Sequence, residues 1–136
     1  MLYIKFKKGY KYQLEEDFSM RADFLPPRHI DTYFIQFRLN GDLLLAKGYA
    51  WDGPTGVPDL SSFMRASLVH DALYQLMRND HLDLENYRQP ADRLMRKMCL
   101  QDGMNPLWAG IAYCGVRLLG ESHARGSSKK ELICAP

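Results

Sequence analysis

His70 and Asp71 are adjacent, Tyr74 follows His70 by one helical turn, and Asp92 lies on the next segment with helical spacing. Side chains at i and i+1 of a helix point about 100° apart, so His70 and Asp71 cannot pair with each other. They can serve one site in two roles, His70 as a base and Asp71 as a ligand to a hard cation. A histidine base needs an orienting partner at its other nitrogen, and Asp92 is the candidate. Upstream, Trp51 to Gly56 (WDGPTG) is a turn-forming stretch with an acid at its start and two glycines. Such a loop can aim carbonyls at a cation, and carbonyl and carboxylate oxygens are what calcium prefers. The spacing therefore nominates His70, Asp92 and Tyr74 as catalytic residues. It nominates Asp71, Trp51, Asp52 and Gly53 as a calcium-binding set.

Each of these residues also has an ordinary structural role. His70 can be a hydrogen-bonded core residue, and Tyr74 can simply pack. Asp52 can open an Asx turn. Asp92 can be favoured by the positive end of a helix dipole. Together they can form a buried polar network that fixes the elements to one another.

The elements that must position these groups are legible in the hydrophobic periodicity. Leu2, Ile4 and Phe6 alternate with polar residues, Gly9 interrupts, and Tyr10, Tyr12 and Leu14 resume, which predicts a hairpin or bent strand. Glu15 to Pro27 reads as a mixed connector ending in two prolines. The stretch 32–47 predicts a hairpin turning at Asn40-Gly41, where both residues tolerate positive φ. A first helix is expected over 63–78, with Ser61 or Ser62 as N-cap and Leu68, Val69, Ala72, Leu73, Leu76 and Met77 facing the core. A polar loop over 79–87 leads to a second helix over 90–102, opened by Pro90 and closed by Gly103. Asn105 caps a third helix over 106–119. It is apolar nearly all round, which predicts that it is the central, most buried helix, with Gly110 and Gly115 admitting close neighbours. The fold class is α+β: an N-terminal antiparallel sheet, then about three helices, in one domain over 1–120. A polar, flexible tail follows over 121–136.

The composition of the 136 residues, 46% hydrophobic and 25% charged, is that of a globular protein. A net charge of +2 with no Lys/Arg stripe argues against nucleic acid as partner. Cys99, Cys114 and Cys134 form neither a disulfide framework nor a CxxC pair, which favours reduced thiols and synthesis in the cytoplasm. The N-terminus lacks the apolar core of a secretory signal, and no apolar run reaches the roughly 20 residues of a membrane span.

The segments YAWDGPTG, FMRASLVHDALYQLMR, ADRLMRKM and YCGVRLLG occur in that order. In this they resemble the phage and prophage family filed as domain of unknown function thirteen fifty-three, over roughly residues 40 to 120. The resemblance implies a bacterial virus or prophage source; the expected location is the host cytoplasm at synthesis, with association with the virion as the alternative. It implies no reaction. A more distant resemblance is to secreted phospholipases of the A-two type, in which a glycine-rich calcium loop precedes a helix bearing HDxxY and an aspartate on the following helix orients the histidine. His70, Asp71 and Tyr74 match HDxxY, and Asp92 takes the place of the orienting acid. That resemblance implies a calcium-dependent lipid-ester hydrolase and membrane lipid as partner. The chain departs from it in lacking a disulfide framework and the Gly-Cys loop pattern, in carrying Pro54 and Pro58, and in its N-terminal sheet. Two other readings stand beside it. One is a virion or host-interaction module with a structural His-Asp-Asp cluster. The other is an HD-type phosphohydrolase with His70, Asp71 and Asp92 as metal ligands, for which His29 and His81 are poorly placed in loops.

Overall fold

A computed structural model describes residues 6–7, 12–53 and 61–125. The chain divides into two compact units, Met1–Thr55 and Gly56–Pro136. The fold is α+β, with antiparallel strands first and helices after them. The expectations for residues 2–5 and 8–11, for 54–60 with Pro54, Gly56 and Pro58, and for the tail beyond 125 fall outside the described residues.

In the first unit, β1 (Phe6–Lys7), β2 (Tyr12–Leu14) and β7 (Ala50–Trp51) make a three-stranded antiparallel sheet in the order β1-β2-β7. Phe6 pairs with Leu14, and Tyr12 pairs with Trp51. The alternating N-terminal pattern is therefore an antiparallel pair of strands rather than one bent strand. A second sheet runs β3-β6-β5-β4, built from β3 (Phe18–Arg21), β4 (Ile30–Asp31), β5 (Ile35–Phe37) and β6 (Asp42–Leu45). Ile35, Phe37, Leu43 and Leu45 are buried, the inward half of the alternation.

The expected hairpin is β5–β6, with Phe37 opposite Leu43. Its turn differs in type. Arg38 donates its N–H to the Asp42 carbonyl at 2.8 Å, and Gly41 donates to the Arg38 carbonyl at 2.9 Å. These bonds enclose a three-residue loop in which only Gly41 has a positive φ, +95°. Asn40 contributes through its side chain, whose Oδ1 accepts the Asp42 N–H at 2.9 Å. Strand β3 corrects the connector reading of 15–27. Its acid-rich approach hides a short alternation in which Phe18 is buried and Ser19 and Arg21 are exposed.

The second unit is helical. α1 spans Met64–Arg78, α2 Leu84–Gln101, α3 Pro106–Leu119 and α4 Glu121–Ala124. α1 buries twelve of its fifteen residues. Its N-cap is Phe63, with no side-chain capping bond, so neither Ser61 nor Ser62 performs that role. It ends in a Schellman motif with Asp80 at φ +65°. Asp80 donates its N–H to the Met77 carbonyl and His81 to the Leu76 carbonyl.

α2 begins six residues earlier than the sequence suggests. Asp83 is the N-cap and accepts the Asn86 N–H at 3.1 Å. Pro90 lies inside the helix, where its ring nitrogen supplies no helix bond. Asp92 is therefore mid-helix, and a dipole contribution from the first turn does not apply to it. Gly103, at φ +96°, closes α2 as expected.

The reading of α3 as the central helix is overturned. Asn105 does cap it, accepting the Leu107 N–H at 2.8 Å, but Ala109 is its one buried residue. Leu107 is 70% exposed, Ile111 48%, Leu118 81% and Leu119 74%. α3 packs through its small side against α2, and the central role falls to α1, whose Ala66, Leu68, Ala72 and Leu73 have no exposure. Gly110 and Gly115 admit no close neighbour: a β-carbon on Gly115 would meet nothing within 4 Å. The start of the expected loose tail is the helix α4. Ala124 is buried there, and Arg78 Nη1 donates to the His123 carbonyl at 2.9 Å.

Candidate functional site

Helical geometry brings three of the nominated residues together. His70 and Tyr74 sit one turn apart on the inner face of α1, their rings 4.1 Å apart at 38°. Asp92 faces them from the middle of α2 and is fully buried. Its Oδ1 lies 2.7 Å from His70 Nε2 and accepts the Tyr74 hydroxyl at 2.6 Å. Its Oδ2 accepts Arg117 Nη1, from α3, at 2.9 Å. A second arginine, Arg88 of α2, donates Nε to the Tyr74 hydroxyl at 3.3 Å and Nη2 to the Val116 and Arg117 carbonyls at 2.8 Å each. One network thus ties α1, α2 and the C-terminal end of α3.

Burial alone would push the Asp92 carboxyl up. Hydrogen bonds from His70 and Tyr74, with Arg117 behind them, outweigh burial and hold it below the ordinary carboxylate value. Asp92 is therefore the acceptor, and His70 Nε2 carries the proton. In the neutral ring that leaves the lone pair on Nδ1. Among the described residues Nδ1 has no hydrogen-bond partner. The His70 side chain as a whole is 9% exposed. Tyr74 is pushed the other way. Burial and the neighbouring Asp92 carboxylate raise its hydroxyl well above the usual phenol value. It stays protonated and acts as a donor that positions Asp92.

The other nominated residues are Asp71 in the second unit and Trp51, Asp52 and Gly53 in the first. Asp71, next in sequence to His70, is half-buried on a different face of α1. Trp51, Asp52 and Gly53 belong to the first unit. Trp51 is buried there with its ring 5.6 Å from that of Tyr12, and Gly53, at φ +81°, passes so close over the Tyr12 ring that a β-carbon would collide with it. Asp52 is exposed. Among the described residues no group of three or more His, Cys, Asp or Glu is placed to hold a metal ion. The calcium expectation rests on the oxygen-rich Trp51–Gly56 turn, on Asp71 and on the resemblance.

Sequence reasoning missed Arg88 and Arg117. Arg88 falls between the loop expected over 79–87 and the helix expected from Pro90, and Arg117 in the helix read as apolar nearly all round. The signal for Arg117 was its being the one charged residue of α3. Also missed was the pair Arg65–Asp102, in which Nε and Nη2 each reach a carboxylate oxygen at 3.0 Å and join the start of α1 to the end of α2.

Comparison with protein-family models, curated proteins and solved structures gave no match. No helix among the described residues is long and apolar enough to cross a membrane.

Proposed function

We propose that the second unit is a hydrolase in which His70 is the general base and Asp92 its orienting partner, with lipid esters as the substrate class. One observation carries this reading: Nε2 of His70 is bound to Asp92 at 2.7 Å while Nδ1 is left without a partner among the described residues. In this scheme Nδ1 takes a proton from water, the oxygen adds to the ester carbonyl, and the bond to the alcohol oxygen breaks. The alcohol leaves with the proton that His70 had taken. Asp92 fixes the tautomer and balances the charge on the ring while it holds that proton. Tyr74 and Arg117 are positioning residues that hold the carboxylate. The choice of lipid esters, and of a phage or prophage setting, rests on the motif resemblances.

A second reading has its own support. Arg117 and Arg88 knit the same carboxylate and tyrosine to the end of α3, as expected of a structural lock in a virion or host-interaction module. The phosphohydrolase reading is the weakest, because both Asp92 oxygens are already engaged by His70, Tyr74 and Arg117.

The experiment is turnover of short- and long-chain phospholipid and glyceride esters, with calcium and with chelator, by the wild type and His70→Gln. The hydrolase reading expects turnover that His70→Gln reduces by at least about a hundredfold with an unchanged melting temperature. No turnover by the wild type in either condition, together with a His70→Gln variant destabilised by about 1–3 kcal/mol, makes the cluster a structural lock.

A further inference from the structure

α3 turns an apolar stripe away from the protein. At about 100° per residue, Leu107, Ile111, Cys114 and Leu118 fall on one line, and all four are exposed. Trp108, 39% exposed, and Leu119 widen the line on one side. On the other side stands Tyr113, with the Arg96 guanidinium from α2 5.6 Å from its ring centre, while Arg117 on that side turns its guanidinium inward to Asp92. Arg93 and Lys97 of α2 are also exposed. Between Arg93 and Gly120 the one acidic residue is Asp102, and Arg65 holds both its oxygens. Beyond Gly120, Glu121 is paired with Arg125. The stripe is thus apolar with an indole at one margin, bordered by cationic groups, and carries no uncommitted acid.

We propose that this face of α3 docks on anionic lipid bilayers. Such a surface lets Leu107, Ile111 and Leu118 enter the acyl boundary while Trp108, Arg93 and Arg96 remain at the headgroups. The fourteen residues of α3 are too short to cross a bilayer but suit a helix lying in its plane. A second copy of the chain fits less well. A two-fold pairing along the stripe brings two basic, acid-poor margins together, and like charges then oppose it. The proposal supplies the surface on which the lipid-ester reading would find its substrate. It does not need hydrolysis, since it rests on α3 and its neighbours and not on His70.

The test uses the full chain and ether-linked vesicles, which contain no ester to cleave, so binding is read apart from turnover. Sedimentation with ether phosphatidylglycerol is expected to exceed that with ether phosphatidylcholine by at least about tenfold at low salt and to fall as salt rises. Leu118→Glu with Ile111→Glu is expected to abolish it, and Arg93→Glu with Arg96→Glu to reduce it at least about tenfold, both with unchanged circular dichroism. In a Cys134→Ser background the exposed Cys114 thiol is expected to lose maleimide reactivity on anionic vesicles, while the buried Cys99 stays unreactive throughout. Equal binding to both lipids, or binding without protection of Cys114, overturns the proposal. So does absence of vesicle binding, whether the chain stays monomeric or forms a dimer that Leu118→Glu dissolves, in which case a second copy is the occupant.

Discussion

Arg117 reaches back from the exposed helix α3 to donate to the fully buried Asp92 at 2.9 Å, so a largely solvent-facing helix is pinned by an acid with no exposure of its own. Removing the guanidinium strands Oδ2 of Asp92 without a partner. Loss of one member of a fully buried ion pair costs about 3–5 kcal/mol. The Arg117 side chain is 31% exposed, so water can reach part of the site, and the expected cost of Arg117→Leu is about 1–3 kcal/mol. Urea denaturation measures it. Adding Asp92→Asn is expected to cost less than the sum of the two single changes, because both remove the same interaction. Strict additivity would mean that the contact holds nothing.

Asp92 also gives the protein an acid-sensitive element. Burial opposes its charge, yet the donors around it hold the carboxyl below its ordinary value. Its folded value therefore lies below that in the unfolded chain, about 3.9, and the unfolded chain takes up the proton first as pH falls. The stabilisation is complete above about pH 4 and is lost as pH drops through the folded value. Asp92→Asn is expected to be less stable near neutrality and to lose less stability between about pH 4 and pH 2. Melting temperatures of the two proteins across that range decide it, and parallel curves would remove Asp92 from the account of acid unfolding.

What the chain disclosed beforehand follows from which forces are local. The Asn40-Gly41 turn and the Asn105 cap are short-range and were legible, as was the His70–Asp92 pairing, which needs only two neighbouring helices. Pro90 misled, because a proline normally marks a helix start, whereas here the Asp83 cap and the burial of α2 sustain a helix through it. α3 misled for a different reason. Apolar composition says that a helix avoids water but not what covers it, and the small residues Ala109 and Ala112 leave its larger ones outside. The arginines of the site were harder to read because their partners are set by packing: only when α3 lies against α2 does Arg117 meet Asp92 and Arg88 meet the Val116 and Arg117 carbonyls.

Two glycines of the last helical stretch give opposite expectations. At Gly120 a β-carbon would stand 2.5 Å from the Val116 carbonyl oxygen and 2.9 Å from the Tyr74 hydroxyl, closer than real β-carbons approach such atoms. Gly120→Ala must displace backbone or push Tyr74 off Asp92, where its hydroxyl now sits at 2.6 Å. The expected loss is about 1–3 kcal/mol. At Gly115, inside α3, the same methyl meets nothing within 4 Å. There, alanine removes only the entropic penalty of a helical glycine, for an expected gain of about 0.5–1 kcal/mol. Chemical denaturation of the two variants measures both signs. Tyr74→Phe separates the two sources of strain at Gly120. If the hydroxyl is the main obstacle, Gly120→Ala costs less in the Tyr74→Phe background than in the wild type. An equal cost in both backgrounds would place the strain in the Val116 carbonyl instead.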